Sequence, residues 1–112
     1  MKQKIRNWNT NKIIYECEAD TIKEAIEKAV KEKVSLAFAD LHGLDLRYAN
    51  LRKSDLRFAN LIFADLHYSD LRFADLRGSI LRGSDLRYAD LRDADLSDAD
   101  LSYANLEDCK SD

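Results

Sequence analysis

Phe73-Ala74-Asp75-Leu76-Arg77 is a clear copy of the five-residue unit that decides the fold of this 112-residue chain. Leucine recurs at every fifth position from Leu36 to Leu106, fifteen times without a break. The residue two positions before each leucine is usually Ala or Ser, and the residue directly before it is usually Asp or Asn. Repetition at a fixed period is typical of architectures in which each unit stacks on its neighbours.

A period of five residues fits neither an α-helix nor a flat β-strand. On a helix each repeat advances by about 500°, so successive leucines lie about 140° apart and spread over all sides. On a strand an odd spacing places successive leucines on opposite faces. Burial of a leucine is worth about 1.5–3 kcal/mol, so a chain that turns once per repeat is favoured. The pattern predicts a solenoid with its leucines inside, and the leucine-rich repeat is excluded because its unit has about 20–29 residues.

The A(D/N)LXX pattern of residues 34–109 resembles the pentapeptide-repeat family. The resemblance implies a mainly β fold: a right-handed quadrilateral β-helix with four repeats per coil and just under four coils. It also implies that the leucine and the small residue two before it point inward, while the other three positions point outward. We therefore expect every repeat leucine to be buried. Residues 110–112 would form a short tail.

Two kinds of departure from the repeat carry structural expectations. Val34 and Leu44 occupy the small inward position in the first coil, where we expect them to pack against an N-terminal cap. Gly43, Gly78 and Gly83 occupy an outward corner position that elsewhere often holds Tyr or Phe. Because glycine adopts positive φ freely and aromatic residues resist it, we expect the turns at these glycines to differ from the others.

Residues 1–33 are predicted to cap the first coil, because an open β-helix end exposes leucines and unpaired backbone groups. Residues 4–8 and 12–19 are predicted to be the strands of a β-hairpin joined by a polar turn. Thr21 and Glu24 have capping-box spacing, which predicts the start of an α-helix. The apolar stripe of this helix should face the first coil; it comprises Ile22, Ala25, Ile26, Ala29 and Val30.

Composition excludes several classes of protein. Residues 1–33 hold eight Lys/Arg and six Asp/Glu, whereas residues 34–112 hold ten and fifteen, for a formal net charge of −3. Neither part has the basic footprint of a nucleic-acid-binding protein. No run of about 18 apolar residues predicts a membrane span, and we expect no signal peptide in residues 1–8. Cys17 and Cys109 form no disulfide framework, so a reducing cytoplasm is the expected compartment.

No group of residues in the sequence points to catalysis, to a cofactor or to a metal. His42 and His67 are five repeats apart, which places them on adjacent faces, and neither has a nucleophile or third ligand at workable spacing. The aspartates are spread over a convex rod rather than paired in a cleft, and there is no glycine-rich phosphate loop. The sequence predicts a non-enzymatic protein with no catalytic, cofactor or metal site.

One outward patch breaks the polar pattern of the repeats. Ile80 replaces the expected Asp, and Ile62 and Phe63 replace the expected Arg and aromatic pair. All three fall on one face, one coil apart, with Phe58 and Tyr103 at the rim. Exposed apolar clusters often mark contacts, although packing among neighbouring side chains would also explain this one. We name Ile62, Phe63 and Ile80 the isoleucine patch.

Columns of residues twenty apart are expected to stack on the other faces. Asp and Arg columns are interpreted as an exposed charge lattice, in which single pairs contribute about 0–1 kcal/mol. A tyrosine column is interpreted as ring-on-ring packing and is also a candidate interaction surface. A strip that binds nucleic acid is disfavoured, because the interleaved acids oppose a phosphate backbone. The column comprises Tyr48, Tyr68 and Tyr88.

Two functions follow from these observations. The first is a structural or protein-interaction module that presents side chains on a rigid β-helix to an unidentified protein. The alternative comes from the resemblance: some pentapeptide-repeat proteins resemble duplex DNA in shape and charge and act on DNA gyrase. Those rods are longer, strongly acidic and dimeric, whereas this chain carries arginine on every face.

Self-association as a homodimer is also predicted, through one of two surfaces. The final coil exposes inward leucines and unpaired backbone groups, which are costly in water, so two chains meeting end to end by a two-fold axis would cover both. The isoleucine patch would instead give lateral pairing. The alternative is a monomer in which residues 107–112 fold over the last coil. The candidate end-to-end interface comprises Leu96, Leu101, Leu106 and Cys109.

Overall fold

The computed structural model describes residues 1–112 and contains a β-hairpin, one helix and a long stack of turns. β1 (Lys2–Arg6) pairs antiparallel with β2 (Ile13–Glu18), and α1 (Ile22–Lys31) follows. The hairpin and the helix are therefore present, with the first strand lying two residues earlier than predicted. The helix is too short and too polar to span a bilayer.

The start of α1 follows from the capping residues that the sequence contains. The Thr21 side chain accepts a hydrogen bond from the Glu24 backbone N–H at 3.1 Å, and the Glu24 carboxylate accepts one from the Asp20 N–H at 3.1 Å. Both bonds satisfy backbone donors that a helix start leaves free. The predicted stripe packs toward the repeat leucines: Ala25, Ile26 and Ala29 are buried, and Ile22 and Val30 are partly buried against the same cluster.

Every pentapeptide from Leu36 onward ends in the same tight turn. In a representative copy the Ala49 N–H donates to the Leu46 carbonyl at 3.1 Å, and Tyr48 between them has φ 63°. Positive φ only at the third residue of a four-residue turn is the signature of type II. The corner residues of all fifteen turns, from Phe38 to Asp108, have φ between 56° and 68°.

The expectation that glycine turns would differ is therefore wrong. Gly78 has φ 68° and Tyr68 has φ 60°, which is the same left-handed region. The corner N–H groups of the first eleven turns also bond to a carbonyl of the next coil, as in Tyr68 N–H to the Arg87 carbonyl at 3.0 Å. A different turn at one corner would break this bond and shift the following strand out of register. The ladder therefore imposes a conformation that costs about 1–2 kcal/mol per non-glycine residue.

Parallel bridges connect residues that are twenty apart along the chain. Asp65 bridges to Asp45 on one side and to Asp85 on the other. The Leu46 N–H donates to the Asp65 carbonyl at 2.8 Å, and the Asp65 N–H donates to the Leu44 carbonyl at 2.9 Å. Two backbone bonds per strand residue thus tie each coil to the next, and all outward side chains of one column are held at the spacing of a β-sheet.

The leucines fill the interior, as the five-residue period predicts. All the repeat leucines from Leu36 to Leu86 are at most 1% exposed, and Leu91 is 5% exposed. The expectation that every repeat leucine is buried is wrong for the last coil, because no further coil lies against it. Leu96 and Leu101 are only partly buried, and Leu106 is 39% exposed.

The chain segment after β1 covers one edge of the first coil. Asn7 forms an antiparallel bridge with Ala39, and the Trp8 backbone N–H donates to the Phe38 carbonyl at 2.9 Å. The Trp8 indole N–H reaches further and donates to the Phe58 carbonyl at 2.6 Å. These bonds use backbone groups of the coil that would otherwise have no partner.

Side chains of α1 satisfy further groups on the same edge. The Glu27 carboxylate accepts a hydrogen bond from the Asn50 N–H at 2.7 Å, and the Lys23 ammonium donates to the Arg47 carbonyl at 3.1 Å. Val34 and Leu44, the two large residues at small inward positions, are partly buried against the core. The N-terminal elements therefore act on the first coil both through apolar packing and through hydrogen bonds.

Candidate interaction surfaces

The outer strands carry a regular lattice of ion pairs. Arg57 donates two hydrogen bonds to Asp55, both at 2.8 Å, and its Nε lies 3.9 Å from the Asp75 carboxylate of the next coil. The side-chain bond from Arg57 lowers the pKa of Asp55 to about 2, and a bond from Ser35 adds to the effect. The same two-coil arrangement occurs at Arg47, Arg72 and Arg77.

Two arginines lack the aspartate that would precede them in the repeat. Asn50 stands two residues before Arg52, and Ile80 stands two residues before Arg82. Both guanidinium groups lie over an aromatic ring of the next coil, a cation–π arrangement worth about 0.5–1 kcal/mol at an exposed site. The pairs are Arg52 over Phe73 at 5.6 Å and Arg82 over Tyr103 at 5.5 Å.

The isoleucine patch occupies one position of this lattice. Ile62 holds the place from which arginine elsewhere contacts the acid of the next coil, and Ile80 holds the place of that acid. Both isoleucines are partly buried. Phe63 beside them is 70% exposed, and its ring lies over Gly83, where a Cβ would come within 2.5 Å of the ring. An apolar pair and an exposed ring thus replace an ion pair.

Aromatic residues at the corners stack along the rod. Tyr68 stacks on Tyr48 with centroids 5.2 Å apart and on Tyr88 with centroids 4.7 Å apart, and the rings are within 5° of parallel. Phe38 and Phe58 stack in the same way at 5.1 Å. The expected ring packing is present in the tyrosine column, and each of its three rings remains exposed on its outer side.

Three groups that can ligate a metal come together at the centre of the rod. His67 Nδ1 lies 3.2 Å from an Asp65 carboxylate oxygen, and Asp85 of the next coil approaches the same point. One ligand atom from each residue lies within 4.8 Å of the other two. The expectation that His67 has no third ligand nearby is therefore wrong. We name Asp65, His67 and Asp85 the histidine group.

The final coil is the least covered part of the rod. The backbone N–H groups of Leu96, Leu101 and Leu106 have no hydrogen-bond partner. The thiol of Cys109 is free and partly buried. The tail reaches back to the preceding coil at two points: the Lys110 N–H donates to the Ala89 carbonyl at 2.8 Å, and the Asp93 N–H donates to the Asp112 carboxylate at 2.7 Å. The residues of the candidate end-to-end interface therefore lie together at one end.

An open cleft of about 850 Å³ lies between α1 and the first coil. Its two acids, Glu27 and Asp55, already bond to the Asn50 N–H and to Arg57. Its four cations form no salt bridge, so the cleft is a positive region on a protein that is acidic overall; they are Lys31, Lys33, Arg52 and Lys53.

The repeat region matches a known family of proteins. The family model for pentapeptide repeats matches residues 35–72, 45–83 and 81–110, which is more than half of the chain. The chain belongs to the pentapeptide-repeat family. No curated protein matches it.

Solved structures of other pentapeptide-repeat proteins resemble this one. A pentapeptide-repeat protein from Nostoc PCC 7120 is 37% identical, with a TM-score of 0.65; the match covers 71% of this chain and 72% of that one. The likeness shows a right-handed β-helix. A protein from the Arabidopsis thaliana thylakoid lumen is 31% identical, covering 62% and 45% of the two chains, with a TM-score of 0.45. A pentapeptide-repeat protein from Nostoc sp. strain PCC 7120 that is involved in heterocyst differentiation regulation is 37% identical; the match covers 63% of this chain and 38% of that one, with a TM-score of 0.39.

The pentapeptide repeat itself contains the signal that reveals the histidine group. His67 stands at the arginine position of its repeat, with Asp65 two residues before it and Asp85 eighteen residues after it. Arginine has its two acids at the same offsets. The spacing between His42 and His67 does not reveal the group, because the third ligand of His67 is Asp85 of the next coil and not a residue of the neighbouring face.

Proposed function

We propose that this pentapeptide-repeat protein is a non-enzymatic interaction module whose four-sided coils present side chains to a partner protein. The four-repeat coil is supported by bridges between residues twenty apart, such as Asp70 to Asp90. The observation that carries the proposal is the isoleucine patch: an exposed phenylalanine lies beside two isoleucines at positions that elsewhere in the rod hold an ion pair.

The rigidity of the coil favours binding of a partner at this patch. Phe63 is held by backbone bonds on two sides, since its N–H donates to the Arg82 carbonyl at 2.9 Å and the Ala64 N–H closes its turn at 3.0 Å. Its ring also lies directly against Gly83 of the next coil. A side chain that is already ordered loses little entropy on binding, and aromatic residues dominate the energetics of many interfaces.

A paired capture experiment tests the proposal. Ile80→Asp restores the usual residue of the repeat, so the variant should fold, and it places a charge in the patch. The protein and this variant are used as matched baits on extract from the source cells, and bound proteins are quantified. Loss of a reproducible partner with Ile80→Asp supports the patch. Equal capture by both baits contradicts it.

The control variant is Phe73→Ser. Phe73 is another exposed corner aromatic, at 48% exposure, and it lies outside the patch. Its replacement should leave capture unchanged, whereas Phe63→Ser should reduce it. Equal loss with both serine variants would mean that any corner aromatic suffices and that the patch has no special role.

The DNA-mimic alternative makes a separate prediction. Six carboxylates of the rod, among them Asp55, Asp70 and Asp75, pair with arginines, and this neutralisation weakens any imitation of a phosphate backbone. We therefore expect no effect of the titrated protein on DNA gyrase supercoiling, and inhibition in that assay would replace the interaction module with a mimic. The same interleaved charges argue against nucleic acid as a partner.

Self-association through the last coil is a further part of the proposal, and we place the protein in a reducing compartment, the cytoplasm. The open N–H groups and partly exposed leucines of that coil support an end-to-end homodimer. Light scattering across a concentration series should give a dimer mass that Leu106→Asp abolishes and Ile80→Asp retains. The reverse pattern indicates lateral pairing, and a monomer at high micromolar concentration refutes both.

A further inference from the structure

Five pairs of aspartates stack directly across neighbouring coils. Four of them have an arginine between the two carboxylates; these are 45/65, 55/75, 70/90 and 75/95, bridged by Arg47, Arg57, Arg72 and Arg77. The fifth pair is Asp65 and Asp85, and His67 stands at the arginine position. Like charges opposite each other on adjacent strands are destabilising, and the fifth pair lacks the bridging arginine of the other four; of its two members, Arg47 contacts only Asp65 and Arg87 only Asp85.

We propose that the histidine group binds a divalent transition-metal ion such as Zn²⁺, which takes the place of the missing arginine. One imidazole nitrogen and two carboxylate oxygens are a suitable donor set for such an ion. Zinc ligands lie about 2.0–2.2 Å from the metal, and ligand atoms within 4.8 Å of one another reach that geometry through small side-chain rotations. Water completes the coordination on the solvent side.

The surroundings of His67 favour an ordered site. The ring lies between Tyr48 and Tyr68, with centroid distances of 6.0 and 5.2 Å. Its side chain is only 23% exposed, in contrast to 64% for His42. A ring held in place by its neighbours loses less freedom on binding a metal than a free one does.

Two arginines compete with the metal, and Arg47 Nε lies 3.8 Å from an Asp65 carboxylate oxygen. Arg87 donates to both oxygens of Asp85, at 2.7 and 2.9 Å. Each Asp85 oxygen already accepts two hydrogen bonds from Arg87, so a metal ion at Asp85 has to displace one of them, and the guanidinium also repels a cation. Arg87→Gln should therefore tighten the site, while replacement of a ligand should abolish it.

The chain contains its own control. His42 holds the same repeat position, with Asp40 two residues before it, but the residue eighteen positions after it is Asn60. Asn60→Asp completes a second group with the composition of the first. The substitution is mild, because the Asn60 side chain accepts a hydrogen bond from the Ile62 N–H and an aspartate oxygen accepts the same bond.

Calorimetric titration of Zn²⁺ into the full chain tests the inference, on a Cys17→Ser, Cys109→Ser background that removes competing thiols. We expect one site per chain. Zn²⁺ binding should be lost in His67→Arg, and this variant should fold because it restores the arginine that bridges the other four aspartate pairs. Binding should be at least tenfold weaker in Asp85→Asn. It should be unchanged in His42→Ala.

Asn60→Asp should raise the stoichiometry to two. Broadening of amide resonances by Mn²⁺ should be confined to the strands that contain Asp65, His67 and Asp85. The inference is overturned if Zn²⁺ gives no heat up to millimolar concentration, or if His67→Arg binds as the parent does. Equal binding of Mg²⁺ would also overturn it, because an imidazole donor selects transition ions over Mg²⁺.

Discussion

The ring of Phe58 lies over Gly78 of the next coil, so closely that a Cβ on the glycine would sit 2.5 Å from the Phe58 Cε1 atom. On its other side the ring stacks on Phe38 at 5.1 Å. Phe63 and Gly83 repeat the arrangement. Glycine at these corners therefore leaves the space that the aromatic ring of the preceding coil occupies.

Gly78→Ala should destabilise the protein more than Gly43→Ala does. Both glycines have φ near 65–68°, so both variants carry the left-handed cost of about 1–2 kcal/mol. Nothing lies within 4 Å of a Cβ at Gly43, whereas Phe58 blocks it at Gly78. Urea unfolding should show the difference, and Phe58→Ala should remove it. Equal losses at the two glycines would contradict the steric role of the ring.

Leu71→Ala should cost about 2–5 kcal/mol, because it leaves a cavity in the middle of the stack. Leu71 is fully buried, while Leu106 of the last coil is 39% exposed. Leu106→Ala is therefore the matched control, and we expect a much smaller shift of its urea midpoint. A Leu71→Ala midpoint equal to that of the parent would rule out the inward placement.

Ser79→Ala and Ser84→Ala should differ although both serines are 1% exposed. The Ser84 hydroxyl donates to the Leu81 carbonyl at 2.7 Å, so its loss should cost about 1 kcal/mol. The buried Ser79 hydroxyl has no partner, so its removal should be neutral or stabilising. Thermal unfolding of both variants decides this, and equal destabilisation would show that Ser79 rotates onto the Leu76 carbonyl.

Stability should fall in acid as the lattice is protonated. Hydrogen bonds from Arg57 and Arg92 lower the pKa of Asp55 and of Asp90 to about 2, below the unfolded value of about 3.9. Their contribution is therefore present above pH ~4 and is lost as the pH falls toward ~2.

Melting temperatures measured from pH 6 to pH 2 check this prediction. Asp55→Asn should flatten the acid limb more than Asp45→Asn, although the pKa of Asp45 is also about 2, because solvent screens the more exposed Asp45. The opposite order would mean that burial does not govern the contribution of these pairs.

The sequence determined the solenoid, because the five-residue leucine period leaves no other way to bury the leucines from Leu36 to Leu86. It also determined the columns, since stacked residues repeat at twenty positions, as in Tyr48 and Tyr68. The helix of the cap was predictable from Thr21 and Glu24. All of these are periodic or local patterns in the amino-acid sequence.

Only the tertiary structure decided features that depend on two coils at once. Tyr68 and Gly78 share one turn conformation because bonds to the next coil impose it, whatever the local preference of the residue. Asp85 joins Asp65 and His67 because the next coil brings its carboxylate there. The twenty-residue spacing places Asp85 in the column of Asp65, whereas the distance at which these groups meet is set by how the backbone of one coil stacks on the next.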